Sequence, residues 1–353
     1  MSDNNLKSPK PELPAESGPS GQQEKVKPKV GFYWCASCGG CEESIVDLAE
    51  DILFVTENVD IVFWPVAIDF KKTDLEDMED GSILASMING AVRTSENEEM
   101  ARLIRKKSKL VIAYGACAHL GGIPSLANEF ERGEIIKYVY QDAPSVVNTE
   151  GTVPMREFKH NSSTITLPEF RKMVRTLDQV IDVDYYLPGC PPTPKLLKEA
   201  ILTLLSGKLP PKGTVLAPDF ALCDQCPRKD TKPEKLSFTQ FLRSHQVWAD
   251  KEKCLLSQGI ICMGPATRAG CEALCIGGNM PCTGCFGPTS RVKDQGAKIL
   301  SSICSNMEPK TEDRIDKVLD EIPDPLGTFY RYGLAASLLR KKNIGEGVTE
   351  NGS

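Results

Sequence analysis

Fourteen cysteines in 353 residues are the part of this sequence equipped for chemistry. Thiolates bind soft metals and iron–sulfur clusters, attack electrophiles and cycle with disulfides, and spacing decides among these. In GFYWCASCGGCEES, residues 31 to 44, Cys35, Cys38 and Cys41 recur at every third position. Cys117 follows in YGACAHLGGIP and Cys190 in LPGCPP. Eight more crowd into 223 to 285: Cys223, Cys226, Cys254, Cys262, Cys271, Cys275, Cys282 and Cys285, with Cys304 alone after them.

Cys38 and Cys41, Cys117 and Cys190 each stand just past a short apolar run. In an open parallel sheet the loops at the carboxyl ends of the strands converge on one edge, so these four thiols can meet across about 150 residues of chain. A redox-active pair explains Cys38 and Cys41 but leaves Cys117 and Cys190 idle. Four thiolates suit either zinc or a [4Fe–4S] cluster. The tandem spacing at 35 to 41 also looks like the start of a bacterial ferredoxin run, but no fourth cysteine before proline follows. The later eight divide most economically into Cys223, Cys226, Cys254 and Cys262, and Cys271, Cys275, Cys282 and Cys285. Two zinc ribbons could use such pairs. Three fours, with only Cys35 and Cys304 unused, also suit a chain of clusters that conducts electrons.

The elements that must position these thiols alternate. Apolar strands are expected at 30–34, 59–65, 82–88, 110–116 and, last, 183–187. Helices are expected at 42–53, at 95–107 behind a Ser95–Glu98 capping box, at 167–180, and at 193–207 closed by Gly207. Strands alternating with helices predict an α/β, doubly wound parallel sheet over 29–210. From 211 to 305 the chain is rich in Cys, Gly and Pro with short apolar runs, and is expected to hold its shape through metal ligation with little regular structure. Residues 1–28 carry five prolines and no aromatic residue, which predicts a disordered tail. Residues 306–353 read as a C-terminal extension.

The balance of 42 basic and 48 acidic residues, with no basic block, argues against nucleic acid as the main partner. The sequence shows no leader and no apolar run of about 18 residues that would span a bilayer. A cytoplasmic protein is therefore expected, in a compartment where thiols stay reduced and a cysteine framework means metal more often than disulfide.

Four stretches in order carry a resemblance: Trp34-x3-Cys38-x2-Cys41-Glu42-Glu43-Ser44; Gly115-Ala-Cys117-x3-Gly121-Gly122-Ile123-Pro124; Pro188-Gly-Cys190-Pro-Pro; and Cys254 through Cys262-Met-Gly-Pro-Ala-Thr to Cys271 and Pro281-Cys282-x-Gly-Cys285. Over residues 29 to 335 the chain resembles the small, electron-transferring subunit of [NiFe] hydrogenases. That resemblance implies a flavodoxin-like domain whose Cys38, Cys41, Cys117 and Cys190 hold a proximal cluster. It implies further a medial cluster on Cys271, Cys275, Cys282 and Cys285 and a distal one on Cys223, Cys226, Cys254 and Cys262, three [4Fe–4S] clusters in all. Two departures point to the cytosolic group: Cys223 stands where membrane-bound and periplasmic relatives have histidine, and Cys275 offers a fourth medial ligand where they often have proline. The tail IPDPLGTFYRYGLAASLL, residues 322–339, is similar to that of the methyl-viologen-reducing, F420-non-reducing enzymes.

The implied partners are a [NiFe] large subunit holding the catalytic metal, and a small iron–sulfur adaptor leading to heterodisulfide reductase. An F420- or NAD-reducing hydrogenase and a complex I-like quinone oxidoreductase subunit are the alternatives. Glu43 matches a family glutamate beside the proximal site, which implies either a proton path or an acceptor of backbone hydrogen bonds. Asn89 replaces an acidic residue found in many relatives, either as a neutral amide that tunes the cluster or as a simple polar exchange. Cys35 is expected to be a small buried hydrophobe and Cys304 a packing residue. His119 is expected to hydrogen-bond near the cluster, and His245 to be structural.

Overall fold

The computed structural model describes residues 26–308 and 311–340; most of the expected N-terminal tail, and residues 341–353, lie outside the described residues. The chain opens with β1 (Lys29–Trp34), α1 (Gly40–Val46), α2 (Asp51–Asn58), β2 (Asp60–Phe63), α3 (Lys72–Glu76), β3 (Ile83–Asn89), β4 (Val92–Thr94), α4 (Ser95–Lys107), β5 (Ser108–Tyr114) and α5 (Gly115–Leu120). It continues through α6 (Arg132–Lys137), β6 (Glu157–His160), β7 (Ser163–Thr166), β8 (Phe170–Arg175), β9 (Tyr185–Leu187), α7 (Pro194–Ser206) and β10 (Thr214–Val215).

Six strands form one sheet in the order β10-β9-β5-β3-β1-β2, and every neighbouring pair is parallel. Counted along the sheet's own strands this is the 2-1-3-4-5 arrangement of flavodoxin-like folds, extended by a sixth strand past the last one expected. Successive side chains of a strand point to opposite faces. Phe32, Met87 and Ile112 accordingly pack with Ile45, Val55 and Leu197 on one face. Ile88, Val111 and Ala113 pack with Met100, Ala101 and Ile104 of α4 on the other. Both faces of the parallel sheet are thereby covered, as its unbroken apolar strands require.

Three local expectations are corrected. The helix expected at 42–53 breaks into α1 and α2 around Ala49, whose φ is +50°. The capping box of α4 is made by Thr94 and Asn97: Asn97 N donates to Thr94 Oγ1 and Thr94 N to Asn97 Oδ1, each at 3.2 Å. Ser95 and Glu98 have tertiary partners instead, Ser95 Oγ accepting from Glu169 N at 2.9 Å and Glu98 pairing with Arg171 and Arg175. The helix expected at 167–180 is β8, antiparallel to β4 with Thr94 opposite Phe170 and Val92 opposite Arg175. A spacing of four residues suits one face of a strand as well as one face of a helix. The Glu98 carboxylate therefore gathers Arg171 and Arg175 from an extended segment, and pairing with β4 overrides the helical pattern.

Residues 216–340 form the second part, with α8 (Leu222–Gln225), α9 (Leu274–Gly277), α10 (Gln295–Ser305), α11 (Glu312–Glu321) and α12 (Pro325–Phe329). Here the sequence misled: the cysteine-rich stretch does own a hydrophobic core, in which Phe238, Phe241, Leu256, Ile260 and Met263 pack with Ile299 and Ile303 of α10 and with Phe329 and Leu334. Much of that core comes from beyond residue 290, which is why the stretch taken alone looks coreless.

Candidate cluster sites

Cys38 lies in the loop after β1, Cys41 in α1, Cys117 in α5 and Cys190 just after β9, all at the carboxyl edge of the sheet. Cys41 and Cys117 are buried and Cys38 is exposed. Three of these thiols are raised by burial and by neighbours within the set. Burial pushes the Cys41 thiol well above its usual range, and the neighbouring Cys117, Cys190 and Cys38 push it further. Cys117 is pushed up to about 12 by burial, then by Cys190 and Cys38. Thiolates placed this way would suit a cationic inorganic centre, which would offset their mutual repulsion. Backbone comes close around them: a Cβ at Gly115 would collide with Cys41 Sγ, and one at Gly122 with Cys117 Sγ.

The second quartet surrounds a cavity. Cys271, Cys275, Cys282 and Cys285 line a space of about 270 Å³ together with Cys190, Thr267, Thr283 and Phe286. Cys285 is pushed up to about 12 by burial, then by Cys271, Cys190 and Cys275. Cys190 thus borders both the first and the second quartet.

The thiols of the third quartet, Cys223, Cys226, Cys254 and Cys262, also lie near one another. Cys223 is pushed up to about 12 by burial and by Cys262, with Cys254 and Cys226 adding and Lys232 opposing. Cys262 is pushed up to about 11 by burial, although the Gly264 and Cys282 amides hold it back. The Cys282 amide donates to Cys262 Sγ at 3.4 Å, so the second and third quartets also adjoin. Among the described residues no three Cys, His, Asp or Glu side chains are grouped as a single metal ion needs; tetrahedral zinc would hold thiolates about 3.8 Å apart.

Beside the first quartet lies a buried carboxyl that the sequence motifs contain but to which they give no role. Glu42 is 6% exposed, and its Oε2 accepts from Trp64 Nε1 and its Oε1 from Asn89 Nδ2. Burial raises its pKa, and these two donors partly counter the rise. Asn89 also donates to the Tyr33 carbonyl at 3.2 Å and accepts from Ser37 Oγ at 3.0 Å, so it ties the Cys38 loop to the sheet. Glu43, the glutamate singled out from sequence, is exposed on α1. The helical phase of Cys41 and Ile45, both buried, is the signal that could have separated the two. Asn89→Ala is expected to leave Glu42 Oε1 and the Tyr33 carbonyl short of a donor. The cost is about 1–3 kcal/mol, read as a fall of several degrees in Tm.

Cys35 is buried in the core and its thiol is pushed up to about 12 by burial, which makes it an unreactive packing group. Cys304, expected to pack, is exposed on α10. The His119 ring lies against Tyr186 with centroids 4.6 Å apart and planes tilted by 37°, its Nδ1 is buried without a hydrogen-bond partner among the described residues, and burial lowers its pKa to about 3. His245 is exposed.

Residues 38–204 match the family model described as NADH ubiquinone oxidoreductase, 20 Kd subunit. The chain is 37% identical over 317 residues to the iron-sulfur subunit of the F420-non-reducing hydrogenase of Archaeoglobus profundus, covering 89% of this chain and 98% of that one. It is 37% identical over 327 residues to the like-named F420-non-reducing hydrogenase subunit of Methanothermobacter thermautotrophicus, covering 92% and 99%. A chain of a solved NAD+-reducing [NiFe]-hydrogenase aligns with 52% of this chain and 94% of its own length at 27% identity, with a TM-score of 0.45. Among the described residues no helix is long and apolar enough to cross a membrane. Near-complete coverage of relatives at that identity, with the family's cysteines on one sheet edge, places this chain among the F420-non-reducing hydrogenase iron-sulfur subunits, a family of [NiFe] hydrogenase small subunits.

Proposed function

We propose that this chain is the electron-relay subunit of a cytoplasmic [NiFe] hydrogenase and holds three [4Fe–4S] clusters. Cys38, Cys41, Cys117 and Cys190 would bind the proximal cluster, Cys271, Cys275, Cys282 and Cys285 the medial, and Cys223, Cys226, Cys254 and Cys262 the distal. The observation that carries this reading is the serial arrangement: the first quartet adjoins the second through Cys190 and Cys285, and the second adjoins the third through Cys282 and Cys262. Bound there, the clusters supply one-electron transfer. The chain's own contribution is to fix their spacing, exclude water and set the surrounding charge.

Hydrogen is split in a separate large subunit, since this chain brings no nickel–iron site of its own. The large subunit is proposed to cover the sheet edge at Cys38, the exposed thiol of the first quartet. A small iron–sulfur adaptor leading to heterodisulfide reductase is proposed at the third quartet. The family-model match ends at residue 204, before either later quartet, so the quinone-oxidoreductase alternative accounts for the first quartet alone.

Glu43, exposed beside Cys41, is proposed to pass protons between the two subunits. Glu43→Gln is expected to lower hydrogen uptake by about 100-fold or more while leaving the iron content unchanged; unaltered uptake would remove that role. The whole reading is tested by anaerobic purification through this subunit from the native host. The complex is expected to reduce a viologen dye with hydrogen and the separated chain to be inactive. A complex that carries iron but shows no hydrogen-dependent activity would refute it.

A further inference from the structure

Ten of the 24 exposed large apolar side chains among the described residues fall between 123 and 167, in an arm that leaves the sheet domain after Cys117 and returns at β8. The tip of the arm is the β6–β7 hairpin, in which Phe158 stands opposite Ile165 and His160 opposite Ser163. Those four share one face, and the Phe158 and His160 rings stack on it at 6.4 Å. Glu157, Lys159, Thr164 and Thr166 form the other. The hairpin is therefore amphipathic, yet Phe158 is 49% and Ile165 54% exposed, as is Leu167 at 50%. A two-stranded hairpin is marginal in water by itself, and an apolar face of this kind marks an interaction surface.

The base of the arm is fastened next to the first quartet. Asn128 Nδ2 donates to the Val174 carbonyl at 2.9 Å, the Val174 amide donates to Asn128 Oδ1 at 2.8 Å, and Arg132 Nη1 donates to the Phe170 carbonyl at 3.0 Å. Val174 itself packs against Cys117. The arm that carries the hairpin is thus anchored at its base beside Cys117, at the edge with the proximal thiols, and it belongs to the other part of the chain from the third quartet.

Resting on the functional reading above, we infer that the apolar face of the β6–β7 hairpin is a docking arm for the nickel–iron large subunit, extending the interface at the proximal edge. A surface of this kind, anchored by an aromatic residue and flanked by aliphatic ones, concentrates binding energy in few residues. The test uses the full complex, purified through this subunit, with Phe158→Asp and Ile165→Asp combined and Thr164→Asp as a control on the polar face. The double variant is expected to lower the co-purifying large subunit about tenfold or more, with iron per chain and the far-UV circular dichroism spectrum unchanged. The control is expected to retain the large subunit. Full retention of the large subunit in the double variant would overturn the inference. Selective loss of an iron–sulfur adaptor, or of a second copy of this chain, would overturn it as well by assigning the arm to that partner. A wild-type subunit that brings down no nickel-bearing protein removes the functional reading itself, and the docking arm with it.

Discussion

A Cys117→Ser variant, purified with its partners, is expected to lose the iron of the first quartet and more than about 100-fold of its hydrogen-driven dye reduction. Cys117 is one of the two buried thiols of that quartet: it lies in α5 and packs against Ala91 and Val174. A serine hydroxyl there is a hard, weakly acidic donor in place of a soft thiolate. The second and third quartets hold eight separate thiols and are expected to keep their iron. Iron falling by about a third with activity abolished is the signature of a broken first link. Cys254→Ser is the companion variant. It breaks the far end of the series, so reduction of the physiological acceptor is expected to fail while hydrogen still reduces the iron near the first quartet. Unchanged activity in Cys117→Ser would separate that quartet from electron flow.

Gly122→Ala is expected to cost about 2–6 kcal/mol, adding backbone strain to overpacking. Gly122 has φ +58° and ψ −164°, a conformation reserved for glycine. An added Cβ would also lie 2.8 Å from the Cys117 Cα and collide with its sulfur. The Cys117 ligand has nowhere to retreat, because Ala91 and Val174 pack behind it. Loss of iron from the first quartet and a lowered Tm are the readouts. Gly133→Ala is the control: nothing lies within 4 Å of its added Cβ. Gly133 sits in α6, so alanine there is expected to be neutral or stabilising by up to about 1 kcal/mol. Equal behaviour of the two variants would mean that the backbone at Gly122 is not held against the ligand.

The sheet is legible in the sequence because its strands are buried on both faces and read as short unbroken apolar runs. The position of the first quartet follows from the rule that such strands deliver their loops to one edge. The grouping of the later eight thiols is legible only as an economy: Cys223 and Cys262 feel thiols of their own four, while Cys282 feels Cys262 of the other four before Cys285. What the sequence hides are contacts made at a distance. Arg171 and Arg175 look helical until Glu98 and the β4 edge are in place. Phe238 and Ile260 look too sparse for a core until Ile299 and Phe329 arrive from beyond residue 290. Glu42 is hard to tell from Glu43 because adjacent glutamates differ only in helical phase, and the short α1 gives that phase little weight.

The most direct measurement is the metal content of this chain, isolated anaerobically from the native complex and assayed for iron, zinc and cluster type. Three filled quartets predict about twelve irons per chain, essentially no zinc, and the spectroscopic signature of four-iron clusters. Zinc in place of iron, or only about four irons per chain, would contradict a relay of three clusters.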